Sequence, residues 1–173
     1  SSDVCSSDLI FLCLGHSARD TFEMLYDTGL NMEAKAFAVG VRTEHNRKMI
    51  DAAMRQESAS YKLTYHCRDG RGVYSFCMCP GGYVVNASSE TGYLTVNGMS
   101  YAARDGENSN AAIVCTVTPE DYAGFGNDAL AGVRFQRSLE KRAYEECGGM
   151  IPYQKYGDFK AGRISGDFGA LQP

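Results

Sequence analysis

The stretch Tyr-Ser-Phe-Cys-Met-Cys-Pro-Gly-Gly-Tyr-Val-Val-Asn, residues 74–86, decides the reading of this chain. An apolar strand pattern runs into two cysteines one residue apart, turns at Pro80-Gly81-Gly82, and resumes as a second apolar strand pattern. Side chains alternate along a strand, so Cys77 and Cys79 are expected on one face and Met78 on the other. Proline removes a ladder donor, and paired glycines reach backbone angles closed to other residues, so the three make a corner. Such a corner lets a flat ligand come close to the main chain, and the rest of the sequence reads as its scaffold.

Strand signals continue on both sides. Upstream, residues 61–67 alternate, and Asp69-Gly70 is a turn joining them to Gly72–Phe76. Downstream, residues 83–87 and 93–97 flank Ser-Ser-Glu-Thr-Gly, a hairpin loop ending in glycine. A polar loop follows over 98–110, and 111–117 reads as a buried strand. Asn97-Gly98-Met99-Ser100 and Arg104-Asp105-Gly106 carry turn chemistry and could contact a ligand, although most such loops do not. Before the corner, Phe37, Val39 and Val41 mark a strand, and residues 45–56 a short surface helix.

Toward the end, Thr118-Pro119-Glu120-Asp121 resembles a helix start, with a cap before proline and acids in the first turn. Residues 130–147 are the clearest helix, with Leu130, Val133, Phe135, Leu139, Ala143 and Tyr144 as its apolar stripe and Gly148-Gly149 as its stop. Residues 151–156 suggest one more short strand, and 158–173 a loose glycine-rich segment.

At the other end, residues 9–14 form a continuous apolar run, as expected of a strand buried on both faces. Ser17 with Asp20 makes a capping pattern for a helix that Gly29 stops. Strand, glycine turn and helix N-terminus together offer backbone amides to an anion, with His16 and Arg19 beside them; a plain strand-to-helix joint has the same look. The expected fold is α+β: a mostly antiparallel sheet with two or three flanking helices, plus one strand and helix of a truncated Rossmann-like unit. Residues 1–8, a near-repeat of Ser-Ser-Asp, read as an artefact or as disordered.

At 173 residues, with 44% hydrophobic and 22% charged, the chain suits one soluble domain with a core. A formal charge of −4 without a basic stripe argues against nucleic-acid binding. No apolar run reaches the ~20 residues that span a bilayer. Seven cysteines, an odd count, favour a reducing, cytoplasmic setting.

Cys77 and Cys79 admit several roles. Two strand residues separate their Cα atoms by about 6.6 Å, at the upper edge of disulfide reach. As metal ligands they are half a site, which His66 and Cys67 could complete, but zinc-ribbon spacing is absent. They could pack as small hydrophobes, or lie against a redox cofactor. No Ser/His/Asp ordering, paired carboxylates or phosphate-cradling glycine loop stands out.

Gly-His-Ser-Ala-Arg-Asp-Thr-Phe (15–22), Met-Glu-Ala-Lys-Ala-Phe-Ala-Val-Gly-Val-Arg (32–42), Tyr-Lys-Leu-Thr (61–64), Gly-Val-Tyr-Ser-Phe-Cys-Met-Cys-Pro-Gly-Gly-Tyr-Val-Val (72–85), Asn-Gly-Met-Ser-Tyr (97–101) and Phe-Gln-Arg-Ser-Leu-Glu (135–140) together resemble the C-terminal part of FAD-dependent dehydrogenase-like proteins, the NAD(P)/FAD-dependent oxidoreductases. The resemblance runs from Leu9 to about Ser165. It implies an FAD-binding Rossmann-like unit, here represented by residues 9–30, with a substrate-type domain inserted over 31–157. The Gly-x-Gly-x-x-Gly fingerprint of such a unit does not occur in this sequence.

The same resemblance implies FAD, with NAD(P) as a second cofactor, and a small-molecule substrate. Gly15, His16, Ser17, Arg19, Asp20, Pro80, Gly81 and Gly82 would lie at the cofactor, with Cys77 and Cys79 as catalytic candidates. The competing class is a non-catalytic structural or partner-binding domain with buried structural cysteines.

Overall fold

The computed structural model describes residues 11–166. The readings of residues 1–8, of Leu9 and Ile10, and of 167–173 lie outside the described residues. The chain divides into two compact units, residues 1–32 and 33–173.

In the first unit, α1 (Arg19–Asp27) ends where expected. Gly29, at φ +84°, donates its N–H to the Tyr26 carbonyl, and Leu30 donates to Leu25. Those two bonds are the glycine-terminated helix stop that satisfies otherwise orphaned carbonyls. The start differs from expectation. Ala18 rather than Ser17 occupies the N-cap position, and no side chain caps it. Residues 11–15 form no strand, and Phe11, Leu12 and Leu14 are exposed. An apolar run becomes a buried strand only when neighbours pair with its edges. No described strand pairs with this one.

The second unit is built on β1 (Phe37–Asn46), β2 (Thr64–His66), β3 (Gly72–Cys79), β4 (Gly82–Asn86), β5 (Val96–Ser100) and β6 (Asn108–Val117). Four of them form a sheet in the order β1-β6-β3-β2, and β4 and β5 pair separately; every pairing is antiparallel. With α1, α2 (Arg47–Met54), α3 (Ala131–Glu146) and α4 (Tyr156–Lys160), this is the expected α+β arrangement. Residue Phe37 faces Val117 at one end of the β1–β6 ladder, and Asn46 faces Asn108 at the other. Asn46 also caps α2, its side chain accepting from the Lys48 N–H at 2.9 Å.

The core sits at the Phe37 end. Tyr122 is 1% exposed and stacks on Phe37 at 5.4 Å and near Phe135 at 6.2 Å between ring centroids. Val117 and Ala131 complete the cluster, so α3 is held to the sheet by its apolar stripe. Burying a side chain of that size stabilises by roughly 1.5–3 kcal/mol relative to leaving it in water. The Tyr122 hydroxyl is satisfied by donating to the Lys35 carbonyl at 3.0 Å.

Three local expectations give way. Thr118–Asp121 opens a turn followed by a 3₁₀ turn (Ala123–Phe125), not an α-helix. The Asp121 carboxylate accepts from Thr118 N–H while gripping Arg71 through two bonds at 2.6 and 2.9 Å, so it ties the segment to the sheet edge. Residues 151–155 form no strand. The segment expected to be loose carries α4, and buried Ser165 links Lys155 N–H to the Asp158 carboxylate. No helix among the described residues is long and apolar enough to cross a membrane.

Candidate functional site

The decisive feature of β3 is a bulge. Phe76 lies opposite Ala112 and Cys79 opposite Asn110, so three steps on β3 match two on β6. The extra residue is absorbed at Cys77, whose φ of +48° is left-handed and uncommon outside glycine. This corrects the expectation drawn from simple alternation. With the phase broken, Phe76 and Cys79 become the pair that shares a face, and Cys77 stands exposed.

The bulge is held by Arg42, a residue sequence reasoning did not select. Its guanidinium donates to Asn110 Oδ1 at 2.9 Å, Asn97 Oδ1 at 3.1 Å and the Cys77 carbonyl at 2.6 Å, and approaches Cys79 Sγ at 3.5 Å. Its one visible signal was an arginine ending the alternating run Phe-Ala-Val-Gly-Val-Arg. Burial pushes the Cys79 thiol up from its ordinary value; the Arg42 charge pulls it down by less. A thiolate nucleophile needs the opposite balance. Cys79 is therefore a neutral wall at neutral pH, and all described cysteines are free thiols. None of the six is fully buried, which corrects the picture of buried structural cysteines. Among the described residues, no three His, Cys, Asp or Glu side chains gather in a metal-holding group, so His66 and Cys67 do not complete a site with Cys77 and Cys79.

Pro80, Gly81 and Gly82 are buried. Gly81, at φ +55°, donates its N–H to Ser109 Oγ at 3.1 Å, and Ser100 Oγ donates to the Pro80 carbonyl at 2.7 Å. A Cβ on Gly81 would collide with the Arg104 carbonyl, and one on Gly82 with the Met99 carbonyl. The close approach these glycines permit is thus used by the protein's own backbone.

What stays open is the space beside the corner. A pocket of about 480 Å³ is lined by Met78, Cys79, Pro80, Gly98, Met99 and Tyr101, with Arg104 also contributing. Its size is that of a small-molecule site, and its lining mixes polar atoms with the Met78, Met99 and Tyr101 side chains. Gly98 forms part of the floor: a Cβ there would strike Arg42 and Asn110. The Met99 and Tyr101 side chains are 46% and 63% exposed. Tyr101 meets Tyr83 edge-on at 6.0 Å. Of the two segments expected as polar loops, residues 97–100 instead lie in β5, which starts at Val96 rather than at residue 93 because it pairs with Gly82–Asn86 along its length. They supply Gly98, Met99 and Ser100 to the lining, and the segment after them supplies Arg104.

Residues 15–20 belong to the other unit. There His16 Nε2 and Arg19 Nη2 lie 3.2 Å apart, and Arg19 is 1% exposed. Asp20 Oδ1 accepts from the Thr21 N–H at 2.8 Å. A carboxylate already engages the first turn of α1, where an incoming anion was expected, and like charges repel. Gly15 has nothing within 4 Å of a notional Cβ, and so remains approachable.

The model of a family described as "FAD-dependent protein, C-terminal domain-like" matches residues 36–173, the span that contains the whole sheet, the bulge and the pocket. An uncharacterized protein of Clostridium beijerinckii is 47% identical over 177 aligned positions, which cover 96% of this chain and 33% of that protein. The chain spans about one third of the length of this curated relative. A match that takes in every strand and the whole pocket lining shows the family: the chain belongs to the FAD-dependent protein, C-terminal domain-like proteins.

Proposed function

We propose that this chain is the substrate-side part of a flavin-dependent oxidoreductase of the dehydrogenase-like kind, and that the pocket beside Pro80 receives the substrate. The observation that carries the reading is that pocket: an open cavity of mixed polar and apolar lining, held by a bulge and a buried polar network, in a chain of an FAD-dependent family. FAD, when bound, supplies the hydride chemistry, and NAD(P) is the hydride partner that belongs to the same proposal. The chain's own residues then have modest tasks. Met78, Met99 and Tyr101 keep water from one side of the substrate and orient it. Arg42 holds the Cys77 carbonyl and Cys79 sulfur still. Cys79, kept protonated by burial, lines the pocket without attacking anything. The free thiols support a reducing, cytoplasmic setting.

The chain contains no tryptophan, which makes a direct test possible. The Clostridium beijerinckii relative would be produced with this chain replacing its own matching third, with and without Tyr101→Trp. The chimera is expected to purify with FAD and to be bleached by NADH or NADPH. The added Trp emission is expected to be quenched by bound FAD and to return when the flavin is stripped. A chimera without FAD, or Trp emission equal in the apo and holo forms, would refute the reading.

A further inference from the structure

We infer that the pocket beside Pro80 selects an organic carboxylate with an apolar body, the carboxylate pairing with Arg104 and the body lying on Met78, Met99 and Tyr101. This deepens the substrate-side reading and rests on it for its functional meaning.

The charge pattern of the pocket carries the inference. Of its lining residues, Arg104 alone bears a charge; the others are Ser, Met, Cys, Pro, Gly, Tyr and Ala. The arginines that hold this unit together are each tied down: Arg42 to Asn97 and Asn110, Arg47 to Asp51, Arg71 to Asp121, Arg134 to Asp128 and Arg137 to Glu90. Like those of Arg55, Arg68 and Arg142, the Arg104 guanidinium has no hydrogen bond or ion pair among the described residues, and it alone of these four lines the pocket.

Its backbone, by contrast, is fixed from several sides. The Arg104 N–H donates to the Tyr101 carbonyl at 3.0 Å, Ser58 Oγ donates to the Arg104 carbonyl at 3.2 Å, and Gly81 abuts that carbonyl. The residue is held at φ +52°, a conformation side chains other than glycine adopt at a cost. An anchored main chain with an unengaged planar cation, in a pocket that also offers the Met78, Met99 and Tyr101 side chains, suits a bidentate carboxylate on a ligand with an apolar body. A phosphate would call for further donors, and the lining holds no second cation.

The test uses the full chain carrying ¹³C-labelled methionine methyls, titrated with 4-phenylbutyrate and, separately, with 4-phenylbutanol. The acid is expected to shift the Met78 and Met99 resonances to saturation, at least tenfold more tightly than the alcohol. Added salt should narrow that gap. Arg104→Asn, chosen because asparagine tolerates the left-handed backbone, should bring the acid down to the alcohol's level while the spectrum of the free chain stays folded. Equal binding of acid and alcohol, unchanged acid binding in Arg104→Asn, or no shift of either methyl up to the acid's solubility would overturn the inference. The Trp emission of the chimera reports flavin independently. Quenching there with no acid preference here refutes only the carboxylate; the reverse refutes only the flavin reading.

Discussion

Where Phe37 faces Val117, the sheet is held by rings: Phe37, Tyr122 and Phe135 pack around Val117 and Ala131 with one hydroxyl among them, and that hydroxyl is bonded. Where Glu44 faces Asn110, it is held by polar atoms out of water: Ser109 and Asn110 are 0% exposed, Arg42 threads between Asn97, Asn110 and Cys77, glycines 81 and 82 let backbones touch, and Gly98 leaves room for the Arg42 and Asn110 side chains. The first end tolerates approximate fit, because hydrophobic burial is non-directional. The second depends on direction, since each buried donor or acceptor left unmatched costs about 1–3 kcal/mol. The pocket lies at the second end. A cavity needs walls that do not collapse, and a hydrogen-bonded, left-handed bulge keeps its shape where packed aliphatics would close in.

The contrast can be broken at three points. The largest effect is expected from Tyr122→Ala, which leaves a cavity at the ring cluster and should cost about 4 kcal/mol in urea unfolding. Pocket binding should survive it under native conditions; loss of binding in the still-folded variant would mean the two ends are not separable.

Gly81→Ala comes next. It forces a Cβ into the Arg104 carbonyl at a left-handed position and should cost about 3 kcal/mol. Unlike Tyr122→Ala, it should also displace the loop that carries Arg104 and shift the Met99 methyl resonance. A fully stable variant with an unmoved Met99 signal would show that the corner is not built as described.

The smallest effect concerns acid. The Arg71 guanidinium holds the Asp121 carboxyl well below the usual aspartate range. A depressed folded value means the stabilisation is full above the unfolded aspartate value of about 3.9 and is lost as pH falls through the lower folded value. Asp121→Asn should therefore flatten the fall of Tm between about pH 5 and pH 2. Parallel Tm curves for the two proteins would remove Asp121 from the acid transition. Because the pair is solvent-exposed, the difference should also shrink with salt.

Much of the architecture could be read from residue order. The alternation at Phe37, Val39 and Val41, the Asp69-Gly70 turn and the stripe from Leu130 to Tyr144 all mark elements that formed, because each signal is local. Readings failed where the outcome depended on a remote partner. The apolar run at 11–14 has no neighbouring strand among the described residues, and Asp121 was drawn from a helix start to Arg71, 50 positions away. At the site, the corner and the Arg104-Asp105-Gly106 turn were visible as punctuation, whereas residues 97–100, read as a loop, became part of β5 through its pairing with β4. Arg42 was not, since nothing in its own neighbourhood announces that Asn97, Asn110 and Cys77 will converge on it.

By itself, then, the order of residues determined the α+β class, the antiparallel pairing of neighbours and the position of the Pro-Gly-Gly bend, all consequences of short-range sterics and hydrophobic period. The tertiary structure alone decided which way each cysteine faces, what fills the space over the glycines and which unengaged arginine lines the pocket. Those depend on register and on long-range hydrogen bonds, and a single extra residue in a strand reverses every face that follows it.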